Sequence, residues 1–100
     1  MKEMEIRLYG RVQGVSLRTT IMHRAKETKL TGYVTNRSDG SVEIIIQGER
    51  KKIESFLFWI QGSPGFSRVK GLNYAWRKPN RKFRDFKLIR EDSFLADQAK

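Results

Sequence analysis

Apolar and polar residues alternate at the start of the chain. Met4, Ile6 and Leu8 interleave with Glu5 and Arg7, the period of a strand with one buried face. Gly10-Arg11-Val12-Gln13-Gly14 breaks that period. From Ser16 the pattern turns helical, with Leu17, Ile21, Ala25 and Thr28 on one face and Ser16 as the expected N-cap. Gly32 is expected to close this helix and open the next strand. Residues 33–36 and 41–47 predict two strands, the second with Val42, Ile44 and Ile46 on one face. Between them lies Arg37-Ser38-Asp39-Gly40, whose Asp-Gly pair signals a hairpin. Ile53, Phe56, Leu57 and Ile60 stand at the spacing of a buried helical stripe, with Phe58 and Trp59 expected to pack beside it. Gly62-Ser63-Pro64-Gly65 ends that helix. Residues 69–76 read as a strand with a bulge at Gly71, Lys78-Pro79-Asn80 as a turn, and residues 83–89 as a last strand.

The order is β-α-β-β-α-β with one further short strand. It predicts an α+β fold, the ferredoxin-like split βαβ sandwich: an antiparallel sheet with two helices on one face. That fold hosts many unrelated functions, so function must come from a site. One domain is expected over residues 1–90. Residues 91–100, without period or turn signals, read as a C-terminal tail.

Composition narrows the chemistry. The chain has no cysteine, which excludes a disulfide framework, a thiolate nucleophile and a thiolate metal site. A single histidine, His23, excludes a histidine-rich metal site. No apolar run approaches the roughly 18 residues of a membrane span, so a soluble cytoplasmic protein is expected. The formal net charge of +10 draws anions, whether nucleic acid, acidic lipid or small phosphorylated molecules.

The segment from Gly10 to Arg18 is built to meet one of these. Two glycines bracket a tight strand-to-helix connection, where positive φ lets successive N–H groups point into one concavity. The helix that follows adds its own free N–H groups and the positive end of its dipole. First helical turns favour acids, yet here Arg18, His23 and Arg24 come before any acid, the first being Glu27. An unbalanced Arg18 there costs about 0.3–1 kcal/mol, which a bound dianion would offset. Gly14 is not followed by Lys and Ser or Thr, so the loop is not a nucleotide-binding P-loop.

These residues resemble the acylphosphatase family. Gly10-Arg11-Val12-Gln13-Gly14-Val15, followed after two residues by Arg18, is similar to its first signature. Gly32-Tyr33-Val34-Thr35-Asn36-Arg37-Ser38-Asp39-Gly40-Ser41-Val42-Glu43 is similar to its second. Gln47-Gly48, the 56–60 helix, Gly62-Ser63-Pro64 and Ser67-Arg68-Val69 extend the likeness over residues 4–90. The chain departs from the pattern in having Leu17 where Phe commonly precedes the arginine, and Lys29-Leu30 where Gly-Leu often ends the first helix. It also runs about ten residues past the usual end.

The resemblance implies hydrolysis of small acyl phosphates without metal or cofactor, with inorganic phosphate as product. It assigns the phosphate to Arg18 and to the backbone N–H groups of Arg11, Val12, Gln13, Gly14 and Val15, and the attacking water to Asn36. The residue types suit that chemistry. The leaving carboxylate is stable at neutral pH, so no general acid is required, and no acid–base pair stands out. A guanidinium can make two parallel bonds to phosphate oxygens where an ammonium cannot. A carboxamide can orient a water but is no strong base, so the phosphorus it serves must already be activated.

Other residues are left without a role. His23 lies five positions beyond Arg18 and is expected at the surface. Asp39 belongs to the turn, and Glu43 to the strand face opposite Val42. The segment 68–90 carries nine Lys or Arg against Asp85, interleaved with Tyr74, Trp76, Phe83 and Phe86, a composition able to bind single-stranded nucleic acid. An RNA-recognition motif would carry aromatics on its third strand, and Ser-Val-Glu-Ile-Ile-Ile-Gln has none. Nucleic-acid and membrane partners are therefore not expected; a monomer acting on a small molecule is.

Overall fold

The computed structural model describes residues 1–90; the tail expected over 91–100 lies outside the described residues. The strands are β1 (Lys2–Arg11), β2 (Thr31–Asn36), β3 (Val42–Gly48), β4 (Arg68–Arg77) and β5 (Phe86–Ile89), and the helices α1 (Leu17–Glu27) and α2 (Arg50–Gln61). They form one sheet in the order β4-β1-β3-β2-β5. The split βαβ arrangement is as expected. One pairing departs from the antiparallel pattern: β5 runs parallel to β2, Gly32 opposite Phe86 and Thr35 opposite Ile89. The last strand is shorter than the sequence suggests, because residues 83–85 serve as a connection and regular pairing begins at Phe86.

Strand register sorts the residues onto two faces. Met4, Ile6 and Leu8 stand opposite Ile46, Ile44 and Val42, and these in turn opposite Gly32, Val34 and Asn36. This face is covered by both helices. Leu17, Ile21 and Ala25 of α1 and Ile53, Phe56 and Ile60 of α2 join it in one buried cluster. Fully burying such side chains is worth about 1.5–3 kcal/mol each, which fixes the register against a one-residue slip. Phe58, in contrast, is 80% exposed: two residues from Phe56, it points away from the sheet. Trp59 does pack, against Phe56 and beneath the Arg24 guanidinium.

The other face has no helix, yet much of it is shut off from solvent. Glu3, Glu43, Ile45, Gln47 and Thr35 are all buried there. Part of the cover is the β4–β5 connection, where Gln47 donates to Arg81 O at 2.6 Å and accepts from Phe83 N–H at 3.0 Å.

Three local features differ from or refine expectation. Lys29, not Gly32, closes α1. It takes a left-handed φ of 60°, its N–H bonds Lys26 O at 3.1 Å, and Leu30 N–H bonds Ala25 O at 2.8 Å. This is the Schellman closure, normally built on glycine. Gly32 lies inside β2, where a Cβ would sit 1.8 Å from Ile45 O, so a close strand approach is what demands it. The bulge is also real: pairing shifts between Tyr9–Gly71 and Gly10–Val69, leaving Lys70 as the extra residue beside Gly71.

Candidate active site

The end of β1, the start of α1, the end of β2 and the start of β3 all lie at one end of the sheet. The loop between β1 and α1 is locally forced. Gly10 has φ 115°, and a Cβ on it would meet Arg68 O at 2.3 Å; Gly14 has φ 74° with open space around it. Ser16 occupies the N-cap position with φ 59°, but its side chain caps nothing. Thr20 N–H bonds Ser16 O, the first bond of the helix. Among the described residues, the N–H groups of Val12, Gln13, Gly14, Val15 and Ser16 donate to no protein acceptor. Arg11 differs from these, being the last residue of β1, set opposite Arg68.

Side chains of the same loop anchor it. Val12 is 1% exposed and belongs to the core cluster, and Val15 packs against that cluster. Gln13 reaches the β2–β3 hairpin, donating through Nε2 to Arg37 O and Ser41 O, each at 2.8 Å. The loop is thus anchored by its side chains while its amides remain unspent.

Arg18 is half-buried in the first turn of α1 beside the buried Leu17, so the change from Phe to Leu keeps an apolar anchor next to it. No acid occupies that first turn. The guanidinium makes no ion pair or hydrogen bond with the described residues. His23 is exposed, as expected.

Asn36 ends β2 opposite Val42, on the helix-covered face where α1 also packs. Its Oδ1 is buried and has no hydrogen-bond partner among the described residues. A buried acceptor left unmade costs about 1–3 kcal/mol, so the amide is primed for one more donor.

The following residue turns to the opposite face. Arg37 Nη2 lies 2.6 Å from Glu43 Oε2, and Arg7 Nη2 lies 3.5 Å from Glu43 Oε1. Two guanidinium groups explain how Glu43 can be 5% exposed on a face with no helix. Arg7 also donates to Ser41 Oγ at 3.3 Å. Asp39 accepts from Ser41 Oγ and Ser41 N–H, and these bonds, with help from Arg7, hold its carboxyl below the ordinary value of 3.8. Sequence reasoning placed Glu43 on the correct face but missed the network. Its only local trace is an acid inside an otherwise apolar strand.

Among the described residues no group of three His, Asp or Glu side chains could hold a metal ion. No described helix is long and apolar enough to cross a membrane. Of the basic 68–90 segment, Arg77 is spent on Glu3 and Glu5, and Tyr74 and Trp76 lie exposed on the outer strand β4.

The family model for acylphosphatase matches residues 4–88. An acylphosphatase of Roseiflexus sp. (strain RS-1) is 34% identical over 89 residues, covering 89% of this chain and 96% of that relative. One of Methylococcus capsulatus is 34% identical over 91 residues, 91% of this chain and 99% of the relative. The crystal structure of acylphosphatase from Bacillus subtilis superposes with a TM-score of 0.85 at 31% identity, covering 89% of this chain and 99% of that one. The chain therefore belongs to the acylphosphatase family, enzymes that hydrolyse the carboxyl–phosphate bond of acyl phosphates to a carboxylate and inorganic phosphate.

Proposed function

We propose that the backbone N–H groups of Arg11, Val12, Gln13, Gly14 and Val15, together with Arg18, bind the phosphoryl group of a small acyl phosphate, and that Asn36 orients the attacking water. The observation that carries this reading is the run of unspent amides from Val12 to Ser16, continued by an unpaired guanidinium two residues on. Such donors cost nothing to reorganise when charge builds on the equatorial phosphoryl oxygens.

The remaining steps need little from the protein. A water donates one hydrogen bond to Asn36 Oδ1, which lacks another donor. Its oxygen attacks phosphorus in line with the acyl oxygen, the P–O bond to the acyl group breaks, and the carboxylate departs with the electron pair. The water's surplus proton passes to phosphate or solvent. No metal or cofactor enters, and the rate should be unchanged by a chelator. A monomer acting in the cytoplasm is a separate part of the proposal.

The test is hydrolysis of benzoyl phosphate by wild type and two variants. Arg18→Ala should lower kcat/KM by about 10³-fold or more, by analogy with guanidinium groups that stabilise phosphoryl transfer. Asn36→Ala should lower kcat by about 10²-fold and leave competitive inhibition by inorganic phosphate in place. Full activity in Arg18→Ala would refute the phosphate assignment; full activity in Asn36→Ala would refute the water assignment.

A further inference from the structure

We propose that the side chain of Gln13 is a positioning residue that holds Asn36 in register with the phosphate loop. The proposal rests on the role given to Asn36 above. The Gln13 N–H belongs to the anion-binding run, but its side chain points the other way. Its Nε2 bonds Arg37 O and Ser41 O, each at 2.8 Å, across 24 and 28 residues of sequence. Among the described residues these are the only hydrogen bonds between loop 12–16 and turn 37–41.

The two acceptors are not arbitrary. Arg37 N–H bonds Ser41 O at 2.9 Å, the bond that closes the hairpin immediately after Asn36. Arg37 O also takes Gly40 N–H at 3.1 Å. Gln13 therefore straddles the closing bond and fills the second lone pair of each carbonyl. A primary amide can do this because one nitrogen carries two hydrogens. A carboxylate would face two carbonyl oxygens with no hydrogen to give. The Arg37–Glu43–Arg7 contacts hold the same turn from the far face of the sheet, but they do not touch the phosphate loop. The other anchors of that loop, Val12 and Val15, are apolar contacts without direction.

Chemistry makes this register matter. Phosphate is held by the loop and Arg18, water by Asn36, and in-line attack needs the two aligned. A misplacement of about 1 Å costs about 10²-fold in rate. Loss of the Gln13 amide should therefore slow the chemical step without weakening the grip on phosphate.

The experiment is a double-mutant cycle on benzoyl phosphate hydrolysis. Gln13→Met, which keeps length and the backbone N–H but removes the donors, should lower kcat by about 10- to 100-fold. The inhibition constant for inorganic phosphate should stay within about twofold of wild type. In an Asn36→Ala background the same change should cost no more than about twofold further, because there is no held water left to misplace. A full additional loss in that background, or a phosphate constant that rises in step with the fall in kcat, would overturn the proposal. If Gln13→Met does not fold, Gln13→Glu supplies the test. Its kcat should rise as pH falls and its carboxyl gains the hydrogen that can bond one carbonyl, a limb absent from wild type. A Gln13→Glu profile parallel to wild type would overturn the proposal equally. Failure of the underlying reading would look different, since Asn36→Ala alone would then retain full rate.

Discussion

The sheet carries a polar network at each end, and the two are finished differently. At the end remote from the active site, Gln47 donates to Glu3 Oε1 and Arg81 O, each at 2.6 Å, and accepts from Phe83 N–H. Glu3 also takes Arg77, and Glu5 takes the same guanidinium at 2.8 Å. Gln47 and Glu3 are buried with each of these demands met. At the active-site end, Gln13, Arg37, Glu43, Arg7 and Asp39 are equally interlinked, but Asn36 Oδ1 and Arg7 Nε are left buried without partners, and five loop amides are unspent. A completed network rigidifies and stabilises, while an incomplete one reserves donors and acceptors for a ligand. One end of this sheet is completed within the fold, and the other leaves buried polar groups and loop amides unspent, as the proposed phosphate site requires.

Substitutions at the remote end can break that division. The largest expected effect there is from Gln47→Leu, which strands Arg81 O and Phe83 N–H and takes one partner from buried Glu3. It should cost about 2–3 kcal/mol in urea unfolding while kcat per folded molecule stays at the wild-type value. A loss of kcat with stability intact would show that the remote network serves the site instead. A smaller effect of opposite sign is expected from Lys29→Gly, also at the remote end. Lys29 holds a left-handed backbone that glycine adopts without strain, so the variant should gain about 1 kcal/mol, again with kcat unchanged. The Gln13 variants sharpen the contrast from the other side, since they should move kcat far more than the unfolding midpoint.

Much of this was legible in the sequence because it is local. Met4, Ile6 and Leu8 announce their face by period, the Ile53–Ile60 stripe does the same, and Gly10 and Gly14 mark the loop by the backbone they permit. Arg18 stood out as a cation where a helix dipole favours an acid. The misses are long-range. Gln13 pairs with groups 24 and 28 residues away, and no pattern around it records that. Glu43 was placed only on the strand face opposite Val42; two arginines from other parts of the chain bury it. The helix end was misplaced because Leu30 N–H, bonded to Ala25 O, helps hold Lys29 in a conformation its own type disfavours. Phe58 was expected to pack, yet its neighbours on α2 already fill the sheet face.

The central claim is that backbone amides, left unspent by the fold, receive the phosphoryl group. A titration of the protein with inorganic phosphate, followed by amide nuclear magnetic resonance, tests it most directly. The account predicts saturable shifts concentrated in the N–H signals of residues 12–16, lost in Arg18→Ala. Shifts spread over the lysines and arginines of the 68–90 segment, with the loop amides unmoved at saturation, would contradict it.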